Sequence, residues 1–96
     1  MAITIAIDYD GTYTADPLLW LDFIQKALDK GHKVVCVTMR LEMEGDSVDP
    51  RLKALIPIMY TERRAKKKFA RMHGLEPNIW IEDVPEWIFE DSLPAD

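Results

Sequence analysis

A single cysteine, Cys36, stands in the 96-residue chain, so no intrachain disulfide can form and a reducing, cytoplasmic setting is expected. Cys36 lies inside an apolar strand pattern and is expected to be a small core residue, not a nucleophile. No apolar run approaches the ~20 residues needed to cross a bilayer, so no membrane partner is expected. The first apolar run has no basic leader before it, so a cleaved signal peptide is not expected either. Positive charge is in deficit, with 12 Lys and Arg against 17 Asp and Glu for a net charge of −5. That balance argues against broad, nonspecific DNA binding. The two histidines, His32 and His73, lack metal-ligand spacing and are expected near helix ends as capping or surface groups. There is no repeat, low-complexity tract or linker, and residues 1–96 are expected to form one domain.

What is present is an alternation of strand and helix patterns. Ile3–Ile7 is a β-branched apolar run bounded by turn residues, and reads as a buried strand. Residues 17–30 carry Trp20, Phe23, Ile24, Ala27 and Leu28 at helical spacing, with Asp16 placed to cap, Pro17 at the first position and Gly31 to end the helix. A strand is expected over 34–38 and a polar loop over 39–50. A short helix follows over 51–55 and a strand over 56–60. A helix over 62–73 would be capped by Thr61, with Ala65, Phe69 and Met72 inward and Gly74 after it. A fourth strand over 78–81 and a last helix opened by Pro85 complete the series. Such alternation implies a parallel sheet with helices on both faces, an α/β fold of Rossmann-like, three-layer type.

Charge is unevenly placed. Arg63, Arg64, Lys66, Lys67, Lys68 and Arg71 crowd one segment, and Glu82, Asp83, Glu86, Glu90, Asp91 and Asp96 the last. The basic run reads either as a solvated helix face or as a patch that attracts an anionic substrate.

The most specific feature is Asp8-Tyr9-Asp10-Gly11-Thr12, set directly on the end of the first strand. Open α/β sheets bind ligands at the carboxyl ends of their strands. Carboxylates buried there need a partner, most simply a divalent cation. The plain alternative is an acidic turn closing a strand, with Gly11 allowing the sharp bend.

Taken with three later segments, this motif resembles that of the haloacid dehalogenase-like (HAD) phosphatase superfamily. Val34-Val35-Cys36-Val37-Thr38 resembles its second motif, a strand ending in a hydroxyl residue. Ala65-Lys66-Lys67-Lys68 resembles the lysine-bearing third, and Ile79-Trp80-Ile81-Glu82-Asp83 the acidic fourth. The four follow in the family's order and span nearly the whole chain. The resemblance implies a sheet of order 3-2-1-4 with the first strand central. The intervals between motifs are short, which implies a capless member.

The resemblance also implies roles. Asp8 would be the nucleophile of an aspartyl-phosphate mechanism. Asp10 would be general acid and then base. Thr38 and a lysine would hold the phosphoryl group, with Lys66 preferred on spacing over Lys68 and Lys67. Mg²⁺ would be held by Asp8, the backbone carbonyl of Asp10 and Asp83. Glu82 departs from the family's frequent Asp-Asp and is either a metal ligand, an outer acceptor or a solvated residue. From its position alone, two residues beyond Thr38, Arg40 is expected either to reach a substrate phosphate or to pair with an acid in the loop.

The implied activity is hydrolysis of a phosphomonoester, with a small phosphorylated substrate such as a nucleotide or a nucleic-acid terminal phosphate. The alternative is a catalytically silent HAD-like phosphate-binding or interaction module. A receiver domain is disfavoured, because it needs an aspartate after its third strand, where Ile58-Met59-Tyr60-Thr61 stands. Trp20, Trp80, Trp87, Phe23, Phe69 and Phe89 are many aromatics for a small chain to bury, so either a homodimer covers some of them or four helices cover both sheet faces and leave a monomer.

Overall fold

In the computed structural model, which describes residues 1–92, four parallel strands form one sheet in the order β3-β2-β1-β4. The strands are β1 (Thr4–Ile7), β2 (Lys33–Thr38), β3 (Ile58–Tyr60) and β4 (Ile79–Ile81). The helices are α1 (Pro17–Asp29), α2 (Pro50–Leu55), α3 (Lys66–Met72) and α4 (Glu86–Phe89), with 3₁₀ turns at Tyr13–Ala15 and Glu42–Ser47. Asp96 of the acidic segment lies outside the described residues.

β1 is central because it is flanked on both edges. Ile7 stands opposite Cys36 of β2 on one side and Ile81 of β4 on the other. Successive strand residues face opposite ways, and the two cores follow that alternation. Ile5, Ile7, Val34 and Cys36 pack with Ile24, Ala27, Leu52 and Ile56 from α1, α2 and the turn after α2. Ala6, Val35 and Val37 pack with Ala70 of α3 and with Leu75. Cys36 is fully buried, and burial pushes its thiol up, away from nucleophilic use.

α1 forms as its sequence dictates. The Asp16 side chain accepts from the Leu19 N–H at 3.3 Å, Pro17 is the first helical residue, and Gly31 follows the helix with φ +86°. Trp20 and Phe23 lie partly buried against the first core, and Trp80 against the second.

The segment after β3 differs from expectation. α3 starts at Lys66, not near 62, because Glu62 and Arg63 take left-handed backbone angles of +54° and +72°. Thr61 does not cap it; its hydroxyl donates to the Arg64 carbonyl at 2.9 Å, and the Asp91 carboxylate accepts from the Ala65 N–H at 2.7 Å. Met72, expected inward, is 73% exposed, and the buried positions of this segment are Ala65, Lys66 and Ala70. The loop over 39–50 contains a 3₁₀ turn, and the strand expected over 56–60 narrows to its last three residues. His32 accepts from the Ile3 N–H at 3.1 Å, and His73 lies against the Phe69 ring.

Candidate active site

Because the strands run parallel, the register that pairs Ile7 with Cys36 and Ile81 brings three strand ends to one edge. Asp8 follows β1, Thr38 ends β2, and Glu82 and Asp83 follow β4. The Asp8 N–H donates to the Ile81 carbonyl at 2.9 Å, which extends the β1–β4 pairing to the acid itself. The fourth contribution is Lys66, the first residue of α3, 1% exposed, whose Nζ lies 2.6 Å from Asp8 Oδ1 and also bonds Glu82 Oε1. Of the three adjacent lysines it is therefore Lys66 that meets Asp8; Lys67 and Lys68 are exposed.

Asp8 is 7% exposed. Burial raises its carboxyl to about 7, against the lowering pull of the Lys66 ammonium, and the facing Asp83 adds to the rise. Asp83 is itself held low, chiefly by its hydrogen bond with Asp8 and then by Thr12. The Thr12 hydroxyl sits between them, 3.2 Å from Asp8 Oδ2 and 3.1 Å from Asp83 Oδ1, with one proton to share. Thr12 closes the D-x-D-G-T motif, yet sequence reasoning gave it no role. Gly11 has φ +84°, and a Cβ there would fall 2.3 Å from Asp83 Oδ2. The glycine thus serves the turn and also the close approach of Asp83.

Asp8, Glu82 and Asp83 each present a carboxylate oxygen within 4.8 Å of the others, a grouping that could hold a metal ion. All three are hard oxygen donors, which suit Mg²⁺ or Ca²⁺ rather than a thiophilic metal. Glu82 is the least available of them: one oxygen is bound by Lys66 and the other accepts from the Val84 N–H at 3.3 Å. Asp83 is exposed, accepts from the Thr12 hydroxyl and forms no ion pair among the described residues, which ranks it above the lysine-bound Glu82 as a ligand.

Asp10 lies apart from this group. Its two oxygens accept from Arg40 Nε at 2.9 Å and Nη2 at 2.8 Å, a bidentate pair, and Arg40 also bonds the Ser47 hydroxyl. The guanidinium bonds hold Asp10 below the usual carboxylate range, the opposite direction from a resident proton donor. Arg40 lies over the Tyr9 ring at 5.0 Å, and Tyr9 stacks on Tyr13 at 5.4 Å. Both tyrosine hydroxyls reach Asp49: Tyr13 donates to its carboxylate at 2.8 Å, and Tyr9 accepts its N–H at 2.9 Å. This shelf under Arg40 was not legible beforehand, because Asp49 lies 36 and 40 residues from the tyrosines it joins. Thr38 is buried, and its Oγ1 accepts from the Arg40 N–H at 3.3 Å.

A cleft of about 330 Å³ opens over Asp8, Asp10, Thr38 and Lys66. A larger groove of about 440 Å³ along β3 and α3 contains none of these groups. Comparison with protein-family models, with curated proteins and with solved structures gives no match to this chain.

Proposed function

We propose that the chain is a capless, three-layer HAD-like phosphohydrolase that cleaves phosphomonoesters by way of an aspartyl-phosphate on Asp8. One observation carries the reading: a buried strand-end aspartate held by a buried lysine, with two further carboxylates within 4.8 Å. A carboxylate facing a phosphate dianion repels it unless cations intervene. Asp8, Asp83 and the Asp10 carbonyl would hold Mg²⁺, which supplies charge neutralisation between the carboxylates and the phosphate.

In this reading an Asp8 oxygen attacks phosphorus and the bond to the leaving oxygen breaks. Lys66 offsets the charge on Asp8 and the equatorial oxygens, and the Thr38 hydroxyl donates to one of those oxygens. Asp10, ionised while Arg40 holds it, first takes a proton from solvent, gives that proton to the leaving oxygen and then takes one from the water that clears the intermediate. For that, Arg40 must exchange Asp10 for a phosphoryl oxygen, a partner its planar fork fits equally well. The substrate class favoured is a nucleotide or a nucleic-acid terminal phosphate. The Arg40–Asp10 pair is also what would be found in a HAD-like module that binds phosphate without turning it over.

A screen over nucleotides, phosphorylated DNA ends and sugar phosphates separates the two. Release of phosphate with Mg²⁺ and none with chelator is expected; wild-type protein that binds phosphate but never releases it from an ester would leave the binding module. Within an active protein, Asp83→Ala should raise the Mg²⁺ needed for half-maximal activity far more than Glu82→Ala. Outer groups at metal sites are typically worth about 10–100-fold, so the direct ligand should exceed that. Mg²⁺ titrations of both variants measure it, and a larger shift in Glu82→Ala would reverse the assignment.

A further inference from the structure

Four residues that line the cleft are unused by the chemistry above, Met39, Arg63, Trp87 and Ser92, and two of them, Arg63 and Trp87, offer a charge and an aromatic face to a ligand. Of the cleft's other cations, Arg40 is taken by Asp10 and Lys66 by Asp8 and Glu82, whereas Arg63 makes no ion pair among the described residues. Its backbone is the second unusual feature. Arg63 has φ +72° directly after Glu62 at +54°, a conformation in which glycine is unstrained and an arginine is not. Non-glycine residues in this region cost stability and persist where the surroundings enforce them. Here three backbone bonds do so: Thr61 N–H to Thr38 carbonyl at 2.8 Å, Arg63 N–H to Met39 carbonyl at 3.0 Å, and Ser92 N–H to Arg63 carbonyl at 2.8 Å. The turn is thereby tied to the end of β2, beside Thr38, and holds an arginine at the cleft in spite of the strain.

Trp87, 38% exposed, is the aromatic side chain that lines the same cleft. A cation with no ion pair among the described residues and an indole face together suit a leaving group with one anion and one flat ring. The cleft volume is at the small end for ligand pockets, which fits the end of a ligand rather than an extended cofactor. We propose that Arg63 and Trp87 recognise the leaving group, and that it is a nucleotide bearing a second, non-reacting phosphate. Arg63 binds that phosphate and Trp87 stacks on the base. The inference rests on the phosphohydrolase reading for which phosphate reacts, but recognition is measurable without turnover.

The probe is a thymidine dinucleotide with no terminal phosphate, titrated beside thymidine in chelator and followed by NMR shifts. Neither compound carries a phosphomonoester, so neither can react. Wild-type protein should bind the dinucleotide about 10-fold more tightly, the scale of a charge-assisted phosphate contact. Arg63→Gly should erase that gap without lowering Tm, because glycine accepts the left-handed angle. Trp87→Ala should weaken both ligands by about 10-fold. A gap that survives in Arg63→Gly, or equal binding of both ligands by wild-type protein, overturns the proposal. A Tm that falls in Arg63→Gly would make the arginine structural and also overturn it. If no substrate is hydrolysed but the gap still depends on Arg63, the phosphohydrolase reading fails and recognition stands. In active protein, kcat/KM for a nucleoside 3′,5′-bisphosphate or a 3′-phosphorylated dinucleotide should exceed that for a nucleoside 3′-monophosphate. The higher of the first two identifies a free nucleotide or a nucleic-acid end as the source, and equality of all three counts against the second-phosphate contact.

Discussion

Lys66→Met should be the most damaging single change to the fold, lowering stability by about 3–5 kcal/mol in chelator. The Lys66 ammonium is 1% exposed and is paired with two carboxylates, Asp8 and Glu82, both nearly as buried. Methionine matches the stem of lysine in volume, so packing is preserved and the loss isolates the charge. What is left is two buried acids with no cation between them, and removing one partner of a buried pair is far worse than removing both. Such a loss is a large fraction of the ~5–15 kcal/mol that holds an ordinary domain together. Mg²⁺ should restore part of it in the variant, since a divalent ion at Asp8 and Asp83 neutralises one of the stranded charges. Urea unfolding of wild type and Lys66→Met, with Mg²⁺ and with chelator, reads both effects. A variant that unfolds with the wild type in chelator would show that the pair contributes nothing net.

Asp8→Asn should have the opposite profile: turnover lost and the fold kept. Removing a covalent nucleophile has been felt on the order of 10⁶-fold in kcat where no other group takes over. The stability side follows from burial. With its folded-state pKa raised to about 7 from 3.8, the Asp8 carboxyl binds more protons in the folded chain than in the unfolded one between those values. Stability from this group is therefore full below about pH 4, falls as pH rises toward 7, and is flat above. The asparagine amide of the variant does not titrate, so the difference in stability between variant and wild type in chelator should shift in the variant's favour over that window. Thermal unfolding from pH 4 to 8 for both proteins gives the difference curve. A constant difference would mean that Asp8 is not raised, and near-wild-type turnover in the variant would remove it as nucleophile.

Much of the sheet was legible because its strands are short, apolar and bounded by turn residues, and because α1 carries Asp16, Pro17 and Gly31 where a helix needs them. The strand-end acids and Lys66 were legible for the same reason: residues placed at element ends inherit their positions from the elements. Three things were not. The start of α3 depends on two non-glycine residues at positive φ, which propensity assigns to a helix. Arg40 was expected to meet a substrate phosphate or an acid of its own loop, and its partner is instead Asp10, 30 residues away, which only the three-dimensional fold brings within reach. Thr12 looked like the tail of a motif, and its bridging position emerges only when β1 and β4 are adjacent, with Thr12 and Asp83 71 residues apart in the chain.

β4, a three-residue strand at the sheet's outer edge, leads into both Glu82 and Asp83. Edge segments with few hydrogen bonds open at lower free energy than a sheet's centre. Fraying there would carry off two of the three clustered carboxylates and one partner of Lys66, while β1, β2 and α1 stay folded. On the proposed reading, cation affinity would thus be tied to the integrity of a short edge strand. Mild heat or denaturant would disarm the cleft at doses that leave most of the helical signal intact, and a bound divalent ion would stitch that strand down.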